Sequence, residues 1–127
     1  MDKFKEFFLK ADSFLHDVKE NLEKFELNMS FFLLQESSKC YLKSLLSFYE
    51  VDFPEEDTIE ELINQIETKT TIKLPPVKDI VIELDYAYCE GGCSLNIVYE
   101  DLPTKYIQPV EDLREIIINE IGKDNLE

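Results

Sequence analysis

Apolar side chains recur at alternating intervals of four and three residues at Phe4, Phe8, Ala11, Leu15, Val18, Leu22 and Phe25. On a helix this spacing lines one face, so the segment Phe4 to Phe25 is expected to be helical with a stripe that neighbouring helices must cover. Phe7 and Phe14 widen the stripe. His16 falls about 100° off it on the helical wheel and is expected to face solvent.

The second segment, Glu26 to Tyr49, is helical with two apolar faces. One carries Leu27, Phe31, Leu34, Leu42, Leu45 and Tyr49, with Ser38 as its low point; the other carries Met29, Leu33 and Cys40. A helix apolar on opposite sides sits centrally in a bundle, or is shared with a second subunit. Core packing and a homodimer face through Met29, Leu33 and Cys40 are both open. Ser37, Ser38 and Ser44 are small enough to let a neighbouring helix approach closely.

Pro54 stops this helix, because proline disfavours helix in the residue before it and brings no amide donor. A short third helix begins at Asp57 or Thr58. Thr58 with Glu61 three residues on reads as a capping box, and Ile59, Leu62, Ile63 and Ile66 form the buried face. Thr68 to Pro76 reads as a connector. Val77 to Cys89 suits strand or helix; the spacing of Val77, Ile80, Val81, Leu84 and Tyr88 favours helix, with Pro76 in its first turn and Gly91 as its stop. Cys93 to Lys105 has no legible pattern. A last helix is expected from near Pro109 to Gly122, with Val110, Leu113, Ile116, Ile117 and Ile121 inward and the tail from Lys123 to Glu127 frayed. The expected fold is all-α: an up-and-down four-helix bundle with one additional short helix, as a single domain over residues 1–127. Nine Phe and six Tyr within a 44% hydrophobic chain are enough for a core and exclude a disordered acidic tail.

The chain carries 28 acidic against 13 basic side chains, a formal net charge of −15 with its one histidine neutral. That charge repels phosphate backbones, and Arg114 is the only arginine available for bidentate phosphate contacts, so direct nucleic-acid binding is disfavoured. It suits solubility, or a basic protein partner. No apolar run approaches the ~18 residues of a membrane span. The first residues have no signal-peptide pattern, so a cytoplasmic location is expected. Three cysteines, Cys40, Cys89 and Cys93, are too few for a disulfide scaffold, and with His16 remote from them they do not supply a zinc site. Cys89 and Cys93 read as free thiols near a Gly-Gly turn or as one local disulfide. No metal or other cofactor is expected. The carboxylates at Glu20, Glu23, Glu26 and at Glu55, Glu56, Asp57 read as solvated surface, the latter favoured by the positive end of the third helix.

The stretch Gln35-Glu-Ser-Ser-Lys-Cys-Tyr-Leu-Lys-Ser-Leu-Leu46 resembles the second helix of the HEPN family, which commonly reads Gln-Gln-Ala-Ala-Glu-Lys-Ala-Leu-Lys-Ala-Leu-Leu. Gln35, Leu42, Lys43, Leu45 and Leu46 coincide, Ser37, Ser38 and Ser44 stand for alanines, and Lys39 replaces the usual Glu. Phe53-Pro54 and Asp57-Thr-Ile-Glu-Glu-Leu-Ile63 are similar to the start of the family's third helix, with Asp57 where a histidine is usual. The resemblance implies a helical bundle that forms homodimers. Ribonuclease members carry an arginine followed by a histidine on the later helices; here no histidine follows Arg114, and His16 lies on the first helix.

The resemblance therefore points to the non-ribonuclease branch that accompanies minimal nucleotidyltransferases. The expected function is a non-enzymatic, dimeric binding module, partner or substrate-binding subunit of a nucleotidyltransferase in a toxin–antitoxin-type pair. The alternatives are a ribonuclease toxin with a rearranged site and a purely structural helical scaffold. Where many members of that branch have Arg-Tyr-Pro, this chain has Val98-Tyr99-Glu100, keeping only the tyrosine. Tyr99 and Tyr106 are the candidate ligand or partner contacts; as structural residues they would be half-buried anchors with wet hydroxyls.

Overall fold

The computed structural model describes residues 2–21, 27–54, 57–87 and 104–127. Seven helices make up the secondary structure of these residues, with no strand among them. They are α1 (Lys3–Asn21), α2 (Leu27–Phe48), α3 (Ile59–Lys69), α4 (Pro75–Ile82), α5 (Leu84–Ala87), α6 (Thr104–Ile121) and α7 (Lys123–Leu126). The all-α class is the one the periodicity implies.

The centre of the molecule is α2. Phe31, Leu34, Leu42 and Leu45 of its first face have no exposed surface, and Leu33 and Cys40 of its second face are also buried. α1 runs antiparallel to it: Phe8, Ala11, Leu15 and Val18 are buried, as their spacing predicts. The small residues of α2 permit a close approach on this side. The Ser37 hydroxyl donates to the Ala11 carbonyl at 2.9 Å, and the Ser44 hydroxyl donates to the Phe4 carbonyl at 2.6 Å. Each is a buried hydroxyl satisfied by the neighbouring helix backbone, a position an apolar side chain of ordinary size would fill sterically. Ser38 instead donates to Leu34 one turn back, at 2.9 Å.

The Thr58 side chain caps α3, accepting from the Glu61 amide at 3.1 Å. A second cap comes from a distance: the Asp85 carboxylate of α5 accepts from the amides of Ile59 and Glu60 at 2.8 and 3.0 Å. A carboxylate also suits the positive end of the helix dipole. After α3, the Glu67 carboxylate accepts from the Leu74 amide at 3.1 Å and from Lys78 Nζ at 2.8 Å, fixing the turn into α4. Those bonds, the one from Lys78 first, hold its carboxyl below the usual carboxylate range. Pro75 and Pro76 occupy the first two positions of α4, where no amide donor is missed.

Three boundaries differ from expectation. The helical stretch after Pro76 divides at Glu83 into α4 and α5. α6 starts at Thr104, so Pro109 lies inside it. The turn before the proline is held by Tyr106, fully buried with its ring 5.8 Å from that of Phe31 and its hydroxyl donating to Glu83 Oε1 at 2.9 Å. The stripe Tyr106, Val110, Leu113, Ile117, Ile121 thus continues through the proline. Finally, the tail forms α7 rather than fraying: Gly122 takes φ of 97°, a backbone that favours glycine, and Leu126 turns back into the core.

Candidate functional site: the groove between α1 and α6

α1 and α6 both pack on α2, and α6 runs antiparallel to α1, which sets Arg114 opposite Asp12 and Glu111 opposite Lys19. Arg114 donates from Nε to Asp12 Oδ1 at 2.8 Å and from Nη2 to Asp12 Oδ2 at 3.3 Å. The Tyr41 hydroxyl donates to the same carboxylate from below. The guanidinium lies 5.4 Å from the Phe8 ring centroid, and the Phe8 and Tyr41 rings meet edge to face with centroids 5.4 Å apart. One carboxylate thus joins three helices.

The network shifts its members in predictable directions. The bond to Asp12 raises the Arg114 pKa further, so the guanidinium stays charged. Burial, reinforced by the bond to the Asp12 carboxylate, pushes the Tyr41 phenol up. Tyr41 is therefore a hydrogen-bond donor over the whole physiological range.

On one side of the Arg114–Asp12 bridge opens a groove of about 520 Å³, lined by Asp12, Leu15, His16, Lys19, Glu20, Gln108, Glu111, Asp112, Arg114 and Glu115. Five carboxylates face two permanent cations there. Arg114 is taken by Asp12, with its Nη1 3.3 Å from Glu115, and Lys19 lies 3.6 Å from Glu111. His16 is exposed, as its wheel position predicts, yet it shares this groove with Arg114. Sequence spacing sets these two far apart and denies them a common site. The packing of α1 and α6 on the same central helix brings them to one concavity, although the intervening Asp12 claims the guanidinium.

The other candidate residues fall elsewhere. Tyr106 is an interior residue rather than half-buried, tied to Phe31 and Glu83 as described, with Lys105 over its ring at 5.4 Å. Tyr99, Cys89 and Cys93 lie outside the described residues. Of the suggested dimer face, Met29 is 47% exposed, whereas Leu33 and Cys40 are buried within the chain. Burial pushes the Cys40 thiol up, which removes nucleophilic character. Among the described residues no group of three or more His, Cys, Asp or Glu converges to hold a metal ion. None of their helices is long and apolar enough to cross a membrane.

The class that emerges is an all-α bundle with an acidic interhelical groove. The HEPN domain family model matches residues 4–119, nearly the whole chain, and the protein belongs to that family. No curated protein and no solved structure matches it.

Proposed function

We propose that this chain is a non-catalytic HEPN protein, a homodimeric binding module that partners a nucleotidyltransferase subunit in a toxin–antitoxin-type pair. The observation that carries the non-catalytic reading is the engagement of Arg114, the chain's one guanidinium, by both oxygens of Asp12. A group that must stabilise developing charge on a phosphodiester has to be available to it. Here the guanidinium is neutralised within a groove of net negative charge, which opposes the approach of a polyanion. The nucleotidyltransferase assignment rests on the second-helix resemblance together with the lack of a histidine following Arg114. Incubating the purified protein with RNA, and isolating it from its source cell, tests both halves. Intact RNA and co-isolation of a nucleotidyltransferase are expected. Cleaved RNA overturns the first half, and recovery of the homodimer alone overturns the partner assignment.

A second reading, a ribonuclease with a rearranged site, is favoured by the meeting of His16 and Arg114 in one groove. In that case RNA is cleaved, and His16→Ala or Arg114→Ala abolishes the cleavage. Cleavage that survives both substitutions places the chemistry elsewhere.

A further inference from the structure

We propose that the furrow between α1 and α6 is a docking surface for a basic amphipathic helix of a partner protein. α1 packs along its length on α2, and α6 packs on α2 as well, but the backbones of α1 and α6 scarcely approach each other. They are joined across the gap by long side chains, Arg114 to Asp12 and Lys19 to Glu111.

Two concavities lie in this space, one on each side of the Arg114–Asp12 bridge. The acidic groove described above ends at the Arg114–Asp12 bridge, and a second groove of about 460 Å³ begins there, sharing Asp12, Arg114 and Glu115 with the first. Beside Lys123 and Glu127, the second groove is lined by Phe8, Leu9, Ile118 and Leu126, of which Phe8 and Leu126 belong to the buried core and Leu9 stands open. Leu9 is 46% exposed, one of three large apolar side chains that are open among the described residues. One end of the furrow therefore offers apolar contact and the other offers carboxylates, the complement of a helix with an apolar stripe and lysines or arginines beside it.

Charge selects this occupant over the others. A second copy of the chain would set the same acidic furrow against this one, and like charge opposes that contact. Nucleic acid is repelled for the same reason. The proposal rests on the reading of this protein as a protein-binding module, and names where binding occurs and what chemistry the partner presents.

The test uses the full chain and two synthetic helical peptides with the same leucine stripe, one flanked by lysines and the other by glutamates, followed by fluorescence anisotropy. Two double variants shift the net charge equally: Glu20→Lys with Asp112→Lys inside the furrow, and Glu60→Lys with Asp79→Lys on exposed positions of α3 and α4. The lysine peptide is expected to bind and the glutamate peptide not to bind. The furrow variant should weaken binding about tenfold or more, with the remote variant within about twofold of wild type. Leu9→Asp should weaken it as well. Equal loss in the two double variants, or equal binding of the two peptides, overturns the proposal. A natural partner that the furrow variant still retains also overturns it while leaving the binding-module reading intact. RNA cleavage by a protein whose furrow binds the lysine peptide does the reverse.

Discussion

Arg114 and Asp12 stand 102 residues apart in the chain and face each other across α6 and α1, with two guanidinium nitrogens 2.8 and 3.3 Å from the two carboxylate oxygens. Both side chains keep about a third of their surface exposed, 34% and 32%, so solvent screens the pair. Its strength comes from fork geometry and from the Tyr41 hydroxyl and Phe8 ring that hold its members in place. Arg114→Ala should lower stability by about 1–2 kcal/mol, through lost packing on Phe8 as well as lost charge. Asp12→Asn should lower it too, and the double variant should cost less than the sum. Urea denaturation of the four proteins in a double-mutant cycle measures the coupling; strict additivity contradicts the described bridge.

Tyr41 buries its ring completely and gives its proton to Asp12. Because its folded pKa is raised, the native state holds this proton more tightly than the unfolded chain does. The resulting stability is complete below the ordinary phenol value of 10.0 and drains away as the pH rises above it towards the folded value. Tyr41→Phe should cost about 1 kcal/mol at neutral pH and flatten the alkaline limb of the stability curve. Denaturant midpoints at neutral pH and above pH 10.0 for both proteins provide the check. An unchanged alkaline slope in Tyr41→Phe argues that other tyrosines control it.

The contact between α1 and α2 predicts a strong steric effect at Ser44. This residue is fully buried, with its hydroxyl 2.6 Å from the Phe4 carbonyl. Ser44→Leu forces the helices apart and removes a hydrogen bond, and should cost about 2–3 kcal/mol. Ser44→Ala keeps the close approach and loses only the bond, so about 1 kcal/mol is expected. Thermal melts that rank the two variants the other way would show that α1 does not approach α2 through these serines.

What could be read from the chain beforehand follows the range of each interaction. The buried faces of α1 and α3 were legible because a helical stripe is written in residues three and four apart, as in Phe8, Ala11, Leu15 and Val18. The small residues of α2 announced a close approach without naming the helix that makes it. The start of α6 is not legible because proline favours a helix's first turn, which puts the start near Pro109 and the stripe at Val110, whereas the buried face runs back to Tyr106. The Asp12–Arg114 bridge, the Asp85 cap and the meeting of His16 with Arg114 were not legible. Each depends on how α1, α5 and α6 pack around other elements, and no local spacing records that. The one hint was chemical: a single arginine in a chain rich in carboxylates must find one of them.

The Asp85 cap gives the sharpest test of such long-range structure. Its two oxygens receive the amides of Ile59 and Glu60, the donors that open α3 and have no acceptor within their own helix. The Thr58 side chain accepts from the Glu61 amide, so the two caps serve different donors. Removing one cannot be made good by the other. Asp85→Ala should therefore cost about 1–2 kcal/mol, Thr58→Ala about 1 kcal/mol, and the two effects should add to within a few tenths. Asp85→Asn keeps one acceptor oxygen and loses the charge facing the helix dipole, so it should fall between wild type and Asp85→Ala. Amide hydrogen exchange supplies the site-specific readout. Exchange at Ile59 and Glu60 should accelerate in Asp85→Ala while Glu61 keeps its protection, and acceleration at Glu61 alone would mean that α5 does not cap α3.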